Sequence, residues 1–228
     1  NFNTWEEHRE EVFDFYSNRR KDMLSAKPNE AHLIIARLQQ KFGTNRVKIF
    51  TQNGDNLLEQ AGAIEVCHLH GNIMELRCVS CNNWFAPIEE YSSKVACPVC
   101  QSEKKVKPGV AFFNEDCPNY DDLFLFKKQV NPQDIVIVVG TSFNVIAIER
   151  FLPQSRRASK LNYQINIAPE HDDWFGKNIK MSASSGFSSL HKEIELLMEC
   201  SIVSHFMLSI TNLIEKINSK TQELKSSS

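Results

Sequence analysis

Four cysteines constrain this chain more than any other feature. Cys78-x2-Cys81 is followed by fifteen residues and then by Cys97-x2-Cys100. Two such turns let four thiolates converge tetrahedrally on one zinc, with the backbone amides of each turn supporting the sulfurs. Pro98 suits the second turn. Two redox-active pairs are the other reading of the same spacing. No fifth ligand or open position is visible, so the zinc reading is of a closed structural site that holds a small insert lacking its own core. Cys67, Cys117 and Cys200 bring the total to an odd seven. An odd, clustered set argues against a secreted disulfide framework, and these three read as plain thiols.

Around the insert, strands alternate with helices. A helix is expected over 4–24, with Thr4 as N-cap, and a second over 31–42, where Ala31, Ile34, Ile35, Leu38 and Phe42 form one stripe ended by Gly43. Strands are expected at 46–51, 65–70, 134–139, 162–168 and 178–181, and helices at 119–130, 145–158 and 187–199. This alternation implies an α/β fold with a doubly wound parallel sheet. Such sheets bind ligands beyond the carboxyl ends of their strands, which directs attention to residues 51–55, 70, 140–142 and 166. The glycine fingerprint GxGxxG is absent. In residues 201–217, Ile202, Val203, Phe206, Ile210, Leu213, Ile214 and Ile217 fall on one helical stripe. That segment reads as a C-terminal amphipathic helix for packing or self-association, followed by a Lys/Ser-rich tail to residue 228.

Charge and hydropathy exclude other classes. Lys+Arg 26 against Asp+Glu 28 gives a net charge of −2, which supplies no general attraction to nucleic acid or an anionic membrane. The longest apolar run, Ile135–Val139, is far below the roughly 18 residues that a membrane helix needs. No nucleic-acid or membrane partner is therefore expected, and the chain reads as soluble, intracellular and cytoplasmic.

The order of the motifs is more specific than any one of them. Thr51-Gln52-Asn53-Gly54-Asp55 comes first, then His68-Leu69-His70-Gly71, then the paired cysteines. Lys107-Pro108-Gly109-Val110-Ala111-Phe112-Phe113-Asn114-Glu115, Gly140-Thr141-Ser142 and Ile165-Asn166-Ile167 follow. Over roughly residues 5–200 this series resembles the sirtuin family of NAD-dependent protein deacylases, most of all its bacterial and mitochondrial branch that removes acidic acyl groups. The resemblance implies a Rossmann-like NAD-binding domain formed by residues 1–72 and 106–200, a zinc-binding small domain at 73–105 and the C-terminal helix and tail at 201–228.

The resemblance also assigns roles. The acyl-lysine carbonyl oxygen would attack C1′ of the nicotinamide ribose, releasing nicotinamide and, in the end, O-acyl-ADP-ribose. His70 would be the general base toward the ribose hydroxyls, a task that suits an imidazole titrating near neutrality; His68 is read as structural. Gln52, Asn53 and Asp55 would line the nicotinamide and its ribose, while Gly140, Thr141, Ser142 and Asn166 would hold phosphate or adenosine ribose. Val110–Glu115, beginning at the substrate residue Val110, would pair with the substrate peptide as an added strand, with Phe112 and Phe113 walling the acyl-lysine tunnel. Tyr16 and Arg19, three apart on one helix face, would grip a succinyl or malonyl carboxylate. Cys78, Cys81, Cys97 and Cys100 would hold the one structural zinc, and acylated lysines of proteins would be the partners.

The chain departs from the family at three places. Gly54 stands where isoleucine is usual, and Asn114 where glycine is usual. These changes favour a second reading, NAD hydrolysis or ADP-ribosyl transfer on the same scaffold; a zinc-stabilised binding module is a third. The phosphate-binding Gly-Ala-Gly turn and the Phe-Arg loop have no counterpart in the sequence, so the sheet is expected to lack its central first strand. A segment preceding Asn1 is the expected explanation, with a truncated, inactive chain as the alternative.

Overall fold

In the computed structural model, residues 1–87 and 91–200 are described in full, and residues 206–210 by backbone alone. The chain divides into two compact units. The smaller comprises Asn1–Lys27, Gly54–Asn56 and His70–Pro118; the larger comprises Pro28–Asn53, Leu57–Leu69 and the residues from Asn119 onward. The cysteine-bearing unit is thus larger than the insert expected at 73–105. It takes in the first helix and the segment through Pro118, because a metal knuckle with so little apolar area of its own is covered by neighbouring chain.

The smaller unit is built on helix α1 (Arg9–Ser25) and a three-stranded sheet in which β3 (Gly71–Cys78) lies between β4 (Trp84–Phe85) and β5 (Val106–Val110), antiparallel to both. Phe13 of α1 packs with Leu76, Tyr91 and Val106 and with the buried Cys78 and Cys97 in one cluster. The helix begins at Arg9 rather than near Thr4, and its N-cap residue His8 makes no side-chain cap. Residues before it turn instead: Trp5 is buried, the Phe2 N–H donates to the Phe113 carbonyl at 2.9 Å, and Glu6 pairs with Lys105 at 2.7 Å. Burial of Trp5 outweighs the small local gain of capping one turn earlier.

The larger unit holds a six-stranded sheet in the order β2-β1-β9-β6-β7-β8, with every ladder parallel. Its strands are β1 (Val47–Thr51), β2 (Val66–His68), β6 (Ile135–Val139), β7 (Ser159–Asn166), β8 (Phe175–Lys180) and β9 (Phe206–Ile210). Strand β6 shows why the fold is layered. Ile135, Ile137 and Val139 join one apolar cluster with helices α2 (Glu30–Phe42) and α6 (Ala183–Glu199), while Val136 and Val138 join a second with Leu123 and Phe126 of helix α4 (Tyr120–Gln129) and with Phe151. Successive side chains of a strand point to opposite faces, so an unbroken Ile/Val run fits only where both faces are covered. Helix α2 starts at a capping box in which Asn29 Oδ1 accepts the His32 N–H and the Asn29 N–H donates to His32 Nδ1. Helix α6 approaches β7 at Gly186, where a Cβ would lie 2.3 Å from Ile165 Cγ2.

Two expectations are corrected here. Residues 145–158 do not form one helix: Ile148–Phe151 is a single turn (α5) and Gln154–Arg156 a 3-10 turn. Pro153 lies between them and offers no N–H, and the Arg156 guanidinium is drawn to the carbonyls of Asn131 and Asp134 and to Asn162 Oδ1 at 2.5, 2.6 and 2.8 Å. The C-terminal helix expected over 201–217 is not helical at Phe206–Ile210, which is β9 at the centre of the sheet; the rest of that stretch lies outside the described residues. Phe206 through Ile210 runs beside both Val47–Thr51 and Ile135–Val139 in unbroken register. Two open parallel ladders satisfy the backbone of a short apolar strand on both sides, and that outweighs a helical stripe whose burial depended on an unspecified partner. No helix among the described residues is long and apolar enough to cross a membrane.

Candidate functional site

In the larger unit, the expected nucleotide-side residues sit at the carboxyl ends of β1, β6 and β7. Past β1, Thr51 Oγ1 accepts the Asn53 N–H at 3.1 Å, and the Leu69 N–H donates to the Thr51 carbonyl at 2.8 Å. His68 clips the same turn. Its Nδ1 is 3.0 Å from the Asn53 carbonyl oxygen, and its Nε2 is 2.7 Å from Glu59 Oε1 on the short helix α3 (Leu57–Gln60). A carbonyl and a carboxylate both accept, so the clip is best satisfied by an imidazolium. Gln52 is buried.

Past β6, Gly140 adopts φ 63° and donates its N–H to the Ile165 carbonyl at 2.9 Å. Thr141 Oγ1 accepts the Phe143 N–H at 3.1 Å, and Asn144 donates to Ser142 Oγ at 3.0 Å. Asn166 Nδ2 donates to the Thr141 carbonyl at 2.8 Å, while its Oδ1 accepts the Ala168 N–H at 3.3 Å. Gly140, Thr141, Ser142 and Asn166 therefore come together, with the Asn166 amide engaged in holding the loop. Thr51 and Val139 both pair with Ile210. The two turns thus flank one strand, about 10 Å apart at twice the usual strand spacing.

In the smaller unit, the His70 carbonyl accepts the Ala111 N–H at 2.7 Å, and Gly71 pairs with Val110. The candidate base is thereby tied to the segment expected to meet a peptide. Glycine is required at the join, because Gly71 has φ 81° and a Cβ there would lie 2.2 Å from the Gly109 carbonyl oxygen. Asp55 is buried, and the preceding Gly54 carbonyl accepts the Ile73 N–H at 2.9 Å. Phe112 is buried and stacks on Tyr16 with centroids 5.5 Å apart. Phe113 does not wall anything within the unit. It is 87% exposed, because the chain turns over Phe112–Glu115 with Asn114 at φ 65°. Asparagine tolerates that left-handed backbone better than most residues.

Tyr16 and Arg19 share one face of α1, as their spacing predicts. Burial, opposed by the nearby Arg19, pushes the Tyr16 phenol above its ordinary value. The Arg19 guanidinium lies 5.1 Å from the Phe15 ring centroid and forms no ion pair with a carboxylate among the described residues.

The sequence reading gave no separate role to Lys107, Glu115 or Arg77. Glu115 Oε1 accepts from Arg77 at 2.9 Å, and its Oε2 lies 3.1 Å from Lys107 Nζ and accepts the Phe112 N–H at 2.8 Å. Burial lowers the Lys107 pKa to about 8, with Glu115 opposing. Lys107 and Glu115 frame the quoted motif, but nothing in a sequence says that two charges eight residues apart are buried together.

The four knuckle cysteines form one cluster whose sulfurs all lie within 4.8 Å of one another. Cys78 to Cys100 and Cys81 to Cys97 each measure 3.5 Å. A tetrahedral zinc with sulfur bonds of about 2.3 Å needs sulfurs about 3.8 Å apart, so this donor set fits zinc. The Cys78 N–H donates to the Asn83 carbonyl and the Gln101 N–H to the Cys97 carbonyl, each at 2.9 Å, while Asn82 and Gln101 take positive φ to close the turns. Cys67, Cys117 and Cys200 stand outside the cluster, and burial pushes the Cys67 thiol up to about 12.

Comparison with known proteins places these features in context. Residues 1–147 match the Sir2 family. An NAD-dependent protein deacylase of Campylobacter jejuni is 33% identical over 188 residues, covering 82% of this chain and 78% of that protein. A Sir2 homologue in complex with NAD aligns with a TM-score of 0.68 at 26% identity, over 86% of this chain and 77% of the other. Sir2Tm bound to a propionylated peptide aligns at 0.67 and 25% identity, over 86% and 83%.

Proposed function

The chain belongs to the Sir2 family, and from that premise we propose that it is an NAD-dependent protein-lysine deacylase. It transfers the acyl group of a modified lysine to ADP-ribose and releases nicotinamide. The carrying observation is the 2.7 Å bond from the Ala111 N–H to the His70 carbonyl, which couples the general base to the peptide-pairing segment. The Campylobacter relative bears the name of this activity, and Sir2 structures with NAD and with a propionylated peptide fit both sides of the reaction.

NAD is a co-substrate. Gln52, Asn53, Gly140, Thr141, Ser142 and Asn166 of the larger unit are its proposed binding residues. His70 takes the proton from a ribose hydroxyl, allowing that oxygen to close on the carbon that carried the acyl oxygen to C1′. The segment Val110–Glu115 is proposed to pair with the peptide through its main chain, so sequences around the lysine are broadly tolerated. Zinc, when bound by the four cysteines, supplies structure alone, since a four-thiolate shell leaves no open position. We assign the reaction to the cytoplasm, where thiols stay reduced enough to hold a metal.

The acyl group is proposed to include succinyl and malonyl as well as acetyl. Support comes from Arg19, whose guanidinium forms no ion pair with a carboxylate among the described residues, on the helix face of the Tyr16 stacked on Phe112. The test is nicotinamide release with NAD and acetyl- or succinyl-lysine peptides. Release that depends on peptide, and falls at least about 100-fold in His70→Gln, is expected. Release of equal rate without any peptide would instead establish NAD hydrolysis. Gly54 favours that second reading, because a Cβ there would lie 3.4 Å from Val110 Cγ1 and glycine leaves that space open.

A further inference from the structure

Lys107 takes no part in the chemistry above, yet the peptide-pairing segment is organised around it. Its side chain is 0% exposed on β5. Its Nζ donates to the carbonyls of Pro108 at 3.1 Å and Val110 at 2.7 Å, lies 3.1 Å from Glu115 Oε2, and sits 4.1 Å from the centroid of the Phe112 ring. The Glu115 side chain is 4% exposed. Glu115 also accepts the Phe112 N–H and holds Arg77 of β3, and its own N–H closes the turn on the Phe112 carbonyl at 3.1 Å. Every Lys107 partner named here therefore belongs to residues 108–115.

Burying two opposite charges is a poor way to gain stability, because desolvation costs several kcal/mol per ion and an apolar pair of the same size often does as well. What the charges supply is direction. One ammonium fixes two carbonyls two residues apart, one carboxylate and one ring, so residues 108–112 are held in one arrangement. The result turns the Ala111 N–H to the His70 carbonyl and lays Phe112 against Tyr16.

We infer that Lys107, acting through Glu115 and Phe112, is a positioning residue for the acyl-lysine peptide: it sets the backbone that pairs with the substrate and the ring beside its acyl-lysine. This rests on the deacylase reading, and the experiment separates the two. Zinc-loaded full-length wild type, Lys107→Met and Lys107→Arg are compared for anisotropy of a labelled acetyl-lysine peptide and for steady-state nicotinamide release. Lys107→Met is expected to raise the peptide Kd and KM about tenfold, with the NAD KM and kcat within about twofold, whereas Lys107→Arg stays within about threefold. An unchanged peptide KM in Lys107→Met overturns the inference. So does an equal loss toward NAD and peptide together with a lowered melting temperature, the result of a merely structural role. If Lys107→Met does not fold, Glu115→Gln decides, since its amide oxygen still accepts the Phe112 N–H while the ion pair is gone. A raised peptide KM with unchanged NAD KM is expected there, and wild-type values overturn the inference. Wild type that binds peptide without releasing nicotinamide removes the deacylase reading and leaves Lys107 to the anisotropy result; wild type that binds no peptide overturns both.

Discussion

At the scale of residues, the smaller unit concentrates charge where burial makes it consequential. Lys107 titrates at about 8 in the folded protein against an ordinary 10.5, because burial disfavours its ammonium. Between those two values the unfolded chain holds the proton more firmly than the folded one, so raising pH through this window stabilises the fold. Glu115, Arg77 and the Tyr16 phenol share the surroundings, so wild type is compared with a variant that removes the lysine alone. The unfolding free energy of wild type relative to Lys107→Met should therefore rise from pH 8 to 10.5 by up to about 3 kcal/mol, measured by urea denaturation. A flat difference would show that Lys107 keeps its proton. Arg19 belongs to the same scale. A guanidinium gripping a carboxylate contributes about 1.5–3 kcal/mol, so Arg19→Met should lower kcat/KM for a succinyl peptide at least about tenfold while acetyl activity changes little. Full succinyl activity in that variant would remove the acidic-acyl assignment.

At the scale of elements, the zinc knuckles and the strands around them depend on one another. Cys78 ends β3 and Cys97 lies in the same apolar cluster as Phe13 of α1, so the metal site is also part of the core. Without the metal, only weak thiol contacts such as Cys78 to Cys100 and Cys81 to Cys97, each 3.5 Å, hold the sulfurs together. A strong chelator should release zinc and, with it, the near-ultraviolet dichroism of Trp5 and Trp84, and should abolish activity; retention of both would make the site dispensable. The knuckles were legible because ligand spacing is a local property. The start of α1 was not, since Thr4 looks like a cap until Trp5 and Glu6 find partners at Phe112 and Lys105. Nor was the break at Pro153, whose neighbour Arg156 is claimed by carbonyls more than twenty residues upstream.

At the scale of the whole molecule, the central strand is the decisive finding. Strand β9 is bonded on both sides, to β1 and to β6, and without it those two ladders would be open edges. Proline at its midpoint removes a backbone donor inside the sheet, so Leu208→Pro should cost about 3 kcal/mol or more in stability. An unaltered melting temperature would show that Phe206–Ile210 does not carry the sheet. Sequence by itself determined what short-range pattern can carry: the α/β alternation, the doubly buried Ile135–Val139 strand, the cysteine spacing and the ordered motifs that resemble sirtuins. Only the tertiary structure decided which segment fills the middle of the sheet, that Phe113 turns outward, and that Lys107 and Glu115 meet beneath the peptide segment. The physical reason is the same in each case. Periodicity and ligand spacing are set by neighbours along the chain, whereas an open ladder, a buried charge or an exposed ring is resolved by whatever distant backbone or side chain can satisfy it.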